Sequence, residues 1–212
     1  MSPAQSLLAY TLAASVLTVT PGVDTALVLR LATLEGPRPA LHAALGVVIG
    51  CLAWGAAVAA GLGGLVAASD AAFTALKWIG AAYLMWLGIG MIRKPRQALL
   101  LQGIDATAGA AAARPVMWLR RGFMTNVLNP KVGIFYVSLF PQFMPTGVAV
   151  GPYSFLLAGI HALLGLVWFA SLVAASIPIA RALRHPRAVA IMDRVTGCVF
   201  VAFGAKLALS QR

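Results

Sequence analysis

The chain has 212 residues, of which only 16 are Lys or Arg and 5 are Asp or Glu, while 61% are apolar. Charged residues make up 10%, against about 25% in an ordinary soluble domain, and the mean hydropathy is +0.90. Too few polar side chains remain to coat a soluble fold. That excludes a soluble enzyme, a disordered protein and, despite a net charge of +11, a nucleic-acid-binding domain, whose basic patches sit on polar surfaces. The class left is an all-α polytopic membrane protein, and at about 20 apolar residues per span the length allows about six spans. Cys51 and Cys198 fall in apolar stretches and read as buried free thiols, not as a disulfide framework.

In chain order, the charge-free run from Met1 to Val23, followed by Asp24 and more apolar residues up to Arg30, predicts a first helix over 5–30. It lacks a basic leader and is long for a signal peptide, so it reads as a retained span. The run Ala43–Ser69 predicts a second helix over 42–67, and Trp78–Ile92 a third over 73–92. Arg93–Arg121 is rich in charge, Ala and Gly and reads as a long loop. The apolar run Gly122–Ala180 is too long for one helix. Pro141, Pro145, Gly147, Gly151 and Pro152 divide it into helices over 120–143 and 152–180. A last helix is predicted over 188–209.

The loops carry alternating charge. The first contains Arg38 with Arg30 at its edge, the third has a cluster of Arg and Lys, and the fifth has Arg181, Arg184 and Arg187. The second offers only Asp70, and the fourth has no charge. Basic odd loops place loops one, three and five in the cytoplasm and both termini outside.

Six spans cut at the long loop leave three on each side, so the halves run in opposite directions. This is the inverted-repeat plan of many secondary transporters. It predicts a first unit over 1–92, a cytoplasmic loop over 93–121 and a second unit over 122–212. Lys77, Gly80, Tyr83 and Gly88 in the third helix correspond to Arg194, Gly197, Phe200 and Gly204 in the sixth. Pro21 and Pro130 interrupt the first helix of each half.

Polar groups within spans single out candidate functional residues. Pro21 removes a backbone donor, Gly22 permits an unwound backbone, and Asp24 lies well inside the first span. An unpaired charge there costs at least about 2.5 kcal/mol, so the break must face protein or a water-filled cavity. Asn126 and Asn129 share a helix face ahead of Pro130, and Lys131 is the lone base of its apolar run. Pro21 lies nine residues before Arg30 and Pro130 nine residues after Arg121. Both breaks therefore fall roughly 13 Å from the cytoplasmic edge, at about 1.5 Å per residue. An acid and a base at one depth fit a shared midplane site for a zwitterion or a proton, or a structural strut between halves. His161, mid-way along the fifth helix, is either a packed core residue or a proton relay. Gly46, Gly50, Gly61 and Gly63 read as close-packing positions. The five Trp residues read as belt or packing residues. No metal-ligand cluster, Gly-x-Ser-x-Gly elbow or phosphate-binding glycine loop occurs, so neither an enzyme nor a bound cofactor is expected, and transport would draw on an ion gradient.

These residues bring the chain into resemblance with the LysE/RhtB family of bacterial amino-acid exporters, over essentially its full length. Pro21-Gly22-Val23-Asp24 resembles that family's first-helix Pro-Gly-Pro-Asp motif. Leu76-Lys77-Trp78-Ile79-Gly80-Ala81-Ala82-Tyr83-Leu84 with Leu87-Gly88 is similar to its third-helix pattern. Arg121-Gly122-Phe123, Asn126, Asn129-Pro130-Lys131 and Phe140-Pro141-Gln142-Phe143 resemble its fourth-helix block. Asp193-Arg194-Val195-Thr196-Gly197 resembles the start of its sixth helix. Val23 replaces the motif's second proline, which implies a milder break. Gly36-Pro37-Arg38-Pro39-Ala40 departs from a Gly-x-x-x-Gly loop and implies a stiffer one.

The resemblance implies export of amino acids or close derivatives across the bacterial inner membrane by proton antiport. It leaves the particular cargo open. On this expectation Asp24 meets the substrate ammonium or the counter-moving proton, while Lys131, Asn126 and Asn129 address the carboxylate. The excess base holds anionic lipid headgroups, and small-residue helix faces permit a homodimer without requiring one. A metal-cation exporter of similar topology and a non-transporting membrane scaffold are the competing readings.

Overall fold

The computed structural model describes residues 2–68, 70–95, 115–179 and 185–209. Residues 96–114, which make up most of the expected long loop, and Arg181 and Arg184 of the expected fifth loop lie outside them. The described residues are helical, with no strand among them. The helices are α1 (Pro3–Val19), α2 (Val23–Leu34), α3 (Pro37–Ala68), α4 (Asp70–Arg93), α5 (Pro115–Val127), α6 (Pro130–Leu139), α7 (Val150–Ala174) and α8 (Pro186–Leu209). A 3-10 turn at Phe140–Phe143 continues α6. Among the described residues three helices (α3, α7 and α8) are long and apolar enough to cross a membrane. The α1–α2 pair, bent by 51°, counts as a fourth when taken as one broken span.

Prolines account for most boundaries. Ser2 caps α1 in a reciprocal box with Gln5, and Pro3 fills the first turn, where its missing N–H is of no consequence. Pro21 then breaks the expected first helix between α1 and α2. With Val23 in place of a second proline the bend is still 51°. Pro37 and Pro39, read as loop residues, instead open α3, so that helix starts five residues ahead of the expected 42. Both rings sit in the first turn, where the backbone donors have no helical partner anyway. The link shrinks to Glu35 and Gly36. Gly36 takes φ +92 and donates its N–H to the Leu31 carbonyl, a glycine stop after a helix. Likewise α5 begins at Pro115, not 120, so part of the expected loop is helix. The expected helix over 152–180 is interrupted after Ala174: Ala175 leaves helical geometry and helix resumes over 176–179, because Pro178 has no N–H for the Ala174 carbonyl four residues back.

Small residues set the helix spacing. A Cβ on Gly122 of α5 would lie 1.9 Å from the Ala43 carbonyl oxygen of α3, and one on Gly46 would lie 2.0 Å from the Leu119 carbonyl oxygen. The two backbones are thus in contact, as small residues allow in membrane helices. Gly88 of α4 and Gly197 of α8 face each other the same way. A Cβ on Gly61 would meet nothing among the described residues.

Two cores result. One joins Tyr10 of α1, Phe135 and Tyr136 of α6, Phe140, Phe143 and Leu157, with Tyr10 edge-on to Phe140 and Phe143 at 5.6 and 5.4 Å. The other joins Leu27–Leu29 of α2, Ala43 and Val47 of α3, Trp118 of α5, Phe169 and Leu172 of α7 and Val189 of α8. The breaks in α1–α2 and α5–α6 lie between them. Trp118 is buried, whereas Trp78 and Trp86 are exposed. Asp193, which the sequence reading set at the edge of the last helix, is 1% exposed.

Candidate functional site

The α1 ladder fails at Pro21, and Gly22 passes into α2 in an extended conformation (φ −141, ψ −169). Asp24 then falls in the first turn of α2, where the helix dipole favours negative charge. On the other side α5 ends at Val127, and Asn129 caps α6 by accepting the Lys131 N–H on Oδ1 at 3.1 Å. Pro130 occupies the first turn of α6. Each break is therefore a helix end laid against a helix start.

The two breaks meet. Asn126 Nδ2 and Asn129 Nδ2 donate to Asp24 Oδ2 at 3.0 and 3.1 Å. These are the charge-assisted bonds a buried carboxylate needs. Asn129 thus caps its own helix with its oxygen and holds Asp24 with its nitrogen. Lys131 Nζ donates to the Leu17 and Thr20 carbonyls at 3.1 and 3.0 Å. Asp24 and Asn126 are 8% and 1% exposed, and Asp24 Oδ1 and Asn126 Oδ1 have no hydrogen-bond partner among the described residues. Two buried acceptors that lack a donor form a site of unmet demand.

A pocket of about 40 Å³ lies here, lined among others by Thr20, Gly22, Asp24, Thr25, Asn129 and Lys131. Water needs roughly 10–15 Å³ each on this measure, so a few waters fit. Asn126 and His161 also line it, so six of the expected site residues share one cavity. Pro21 is buried at its rim without lining it. His161 Nδ1 pairs with the Tyr136 hydroxyl at 3.0 Å, so it is both packed and pocket-facing.

Sequence reasoning missed several neighbours. Cys51 lines the pocket with its Sγ 3.6 Å from Asn126 Nδ2. Gly50 beside it is the close-packing position the sequence predicts, and the side chain it makes room for is Asn126. Thr20 bonds to Thr196 of α8 and lines the pocket. Cys and Tyr in an apolar run look like core residues. Only Thr20, next to the Pro-Gly pair, carried a local signal.

The family model for the LysE type translocator matches residues 15–211. An uncharacterised membrane protein of Bacillus subtilis is 31% identical over 209 residues, covering 97% of this chain and 99% of its own. A leucine efflux protein of Enterobacter is 30% identical over 206 residues, covering 94% and 93%. A homoserine/homoserine lactone efflux protein of Salmonella typhimurium is 30% identical over 205 residues, covering 96% of each chain. No solved structure matches the chain.

Proposed function

The chain belongs to the LysE type translocator family, and from that premise we propose that it exports amino acids or close derivatives from the cytoplasm in exchange for protons, through the pocket between its two broken helices. The family is one of membrane translocators, not enzymes. The efflux proteins among the relatives are named for leucine and for homoserine and its lactone, which supports an amino-acid cargo here.

One observation carries the reading. Asp24 is buried between the breaks and lines the pocket, with one oxygen held by two amides and the other without a hydrogen-bond partner among the described residues. An ammonium group or a proton satisfies that oxygen, and binding of one displaces the other. This is the minimum a coupled exchanger requires. Asn126 Oδ1 is a second acceptor for the ammonium. The uncapped start of α2 offers backbone N–H groups to a carboxylate, with Lys131 on the adjoining wall. Pro21, Gly22 and Pro130 keep the helix ends open, and His161 relays a proton towards Tyr136. The pocket must widen to take an amino acid, so this state is an occluded one.

The proposed architecture is six spans in two inverted three-helix units, 1–92 and 122–212, joined by a cytoplasmic loop over 93–121. Both termini lie outside the bacterial inner membrane. The α4–α8 contact supports it. If Gly88 and Gly204 are equivalent positions, a two-fold axis that sets Gly88 on Gly197 must set Gly204 on the partner of Gly197, Gly80. A Cβ on Gly204 would lie 2.9 Å from the carbonyl oxygen of Ala81, the next residue. Anionic lipid at the basic loops and a homodimer belong to the same proposal.

Proteoliposomes loaded with leucine or homoserine test the function. Wild type should couple efflux to an inward proton gradient, and Asp24→Asn should lose that coupling. Wild-type coupling in Asp24→Asn removes Asp24 from the mechanism.

A further inference from the structure

The last turn of α1 leaves carbonyls without donors. The Leu17 oxygen would accept from the residue four positions on, which is Pro21 and has no N–H. Thr20 has left helical geometry (φ −65, ψ 120), so its carbonyl points out of the ladder. The Val16 oxygen is already taken, by the Thr20 N–H and the Thr20 hydroxyl. Lys131 Nζ reaches the Leu17 and Thr20 carbonyls, at 3.1 and 3.0 Å.

Carbonyls at the C-terminal end of an interrupted helix carry the negative end of its dipole. In transporter folds such unwound ends coordinate a coupling cation. Here a cation is already present, and it is tethered. Lys131 stands in the first turn of α6, directly after the Asn129 cap and Pro130. Its stem leaves the start of one broken helix and its ammonium ends at the close of the other. The same charge attracts Asp24 across the pocket.

We infer that the broken end of α1 is a monovalent-cation cradle filled from within by the Lys131 ammonium, so that the protein neither binds nor requires sodium. A free sodium ion entering the cradle would meet a fixed like charge at its ligand oxygens, and the Lys131 N–H donors already satisfy them. The tether also ties the two breaks together, because the ammonium cannot leave α1 without freeing α6 from it. The sodium consequence rests on the transport reading; the cradle does not.

Thermal unfolding of the full-length protein in detergent tests the cradle, in choline, sodium or ethylammonium chloride at equal ionic strength. Wild type should unfold at the same midpoint in all three. Lys131→Ala loses the charge-assisted bonds to the Leu17 and Thr20 carbonyls, and its midpoint in choline should fall by about 6 °C or more. Sodium or ethylammonium, small enough to enter the vacated space, should restore part of that loss. Lys131→Met fills the space with an apolar stem, so no salt should rescue it. A wild-type midpoint raised by sodium, or a Lys131→Ala loss that neither cation relieves, overturns the inference. If Lys131→Ala yields no folded protein, binding of radioactive sodium to wild type decides the matter, since saturable binding refutes a filled cradle. Leucine and homoserine counterflow in sodium-free proteoliposomes separates the two proposals. Flux that appears only with sodium overturns this inference. Absence of flux in every salt counts against the substrate reading and leaves the unfolding comparison standing.

Discussion

Replacing Gly50 by Ala adds one methyl group, and the structure specifies what it strikes. The new Cβ would lie 2.6 Å from Asn126 Oδ1 and 2.9 Å from Asn126 Cβ. Relaxed contacts between carbon atoms are about 3.5–4.0 Å, so the neighbour must retreat by more than half an ångström. Retreat of the α5 backbone would open its contacts with α3 at Gly122 and Gly46, so side-chain movement is the cheaper response. Asn126 must therefore rotate, and its bond to Asp24 Oδ2 at 3.0 Å breaks. Overpacking costs about 1–3 kcal/mol, and a hydrogen bond to a charged group is worth about 1.5–3 kcal/mol. Against this, Ala gains roughly 0.5–1 kcal/mol over Gly in a helix, leaving a net loss of about 2–5 kcal/mol. Gly61→Ala in the same helix is the control. Its Cβ meets nothing among the described residues, so it should be neutral or slightly stabilising. Unfolding in detergent and efflux from leucine-loaded proteoliposomes provide the two readouts. Gly50→Ala should fall in both and Gly61→Ala in neither. Adding Asn126→Gly to Gly50→Ala removes every Asn126 side-chain atom the new Cβ strikes and should recover the overpacking part of the loss, but neither the bond to Asp24 nor efflux. Equal behaviour of Gly50→Ala and Gly61→Ala would refute the claim that Gly50 exists to seat Asn126.

Four further outcomes follow from the same geometry. Pro21→Ala returns an N–H to the Leu17 carbonyl and competes with Lys131 for it, so α1–α2 should straighten and efflux should fall while the protein stays folded; unchanged efflux with a straightened helix would show the bend to be dispensable. Asn129→Ala removes both the α6 cap and one bond to Asp24, with an expected loss of about 2–4 kcal/mol in unfolding free energy; Asn129→Asp, which keeps the cap but sets two carboxylates together, should keep the helix and lose efflux. Cys51 lines the pocket at 5% exposure, so substrate should protect it from a small thiol reagent and leave the exposed Cys198 unaffected, with no protection at Cys51 counting against the pocket. Reporter fusions after Ala68 and after Gln102 should read outside and cytoplasmic respectively, and a cytoplasmic readout at Ala68 would overturn the proposed orientation.

Much of the molecule was legible because some rules act along the chain without reference to the fold. Scarcity of charge marked a membrane protein, and a proline amid apolar residues marked a break, since neither inference needs a neighbour. The desolvation penalty singled out Asp24, Asn126, Asn129 and Lys131 in the same way. The same local reasoning erred where position within a helix decides what a residue does. Pro37 and Pro39 looked like breakers but start α3, because a first turn has no use for their missing donors. Pro178, within the expected helix over 152–180, interrupts it after Ala174.

The pairings were not legible at all. Opposite charges predict that Asp24 and Lys131 seek each other or the ends of a zwitterion, which leaves the amides for the substrate. In the fold the amides hold Asp24, and the ammonium caps the end of α1. Which donor reaches which acceptor depends on positions more than a hundred residues apart and on helix spacing set by Gly46, Gly50 and Gly122. The sequence reads Cys51 as a buried thiol without placing it at the pocket and does not distinguish Tyr136 at all, since an apolar stretch looks alike whether it faces a core or a polar pocket. Composition and local stereochemistry settle which groups are costly to bury and where the helices must break; the assembled helices settle how those costs are met, because a buried donor and its acceptor are matched only in three dimensions.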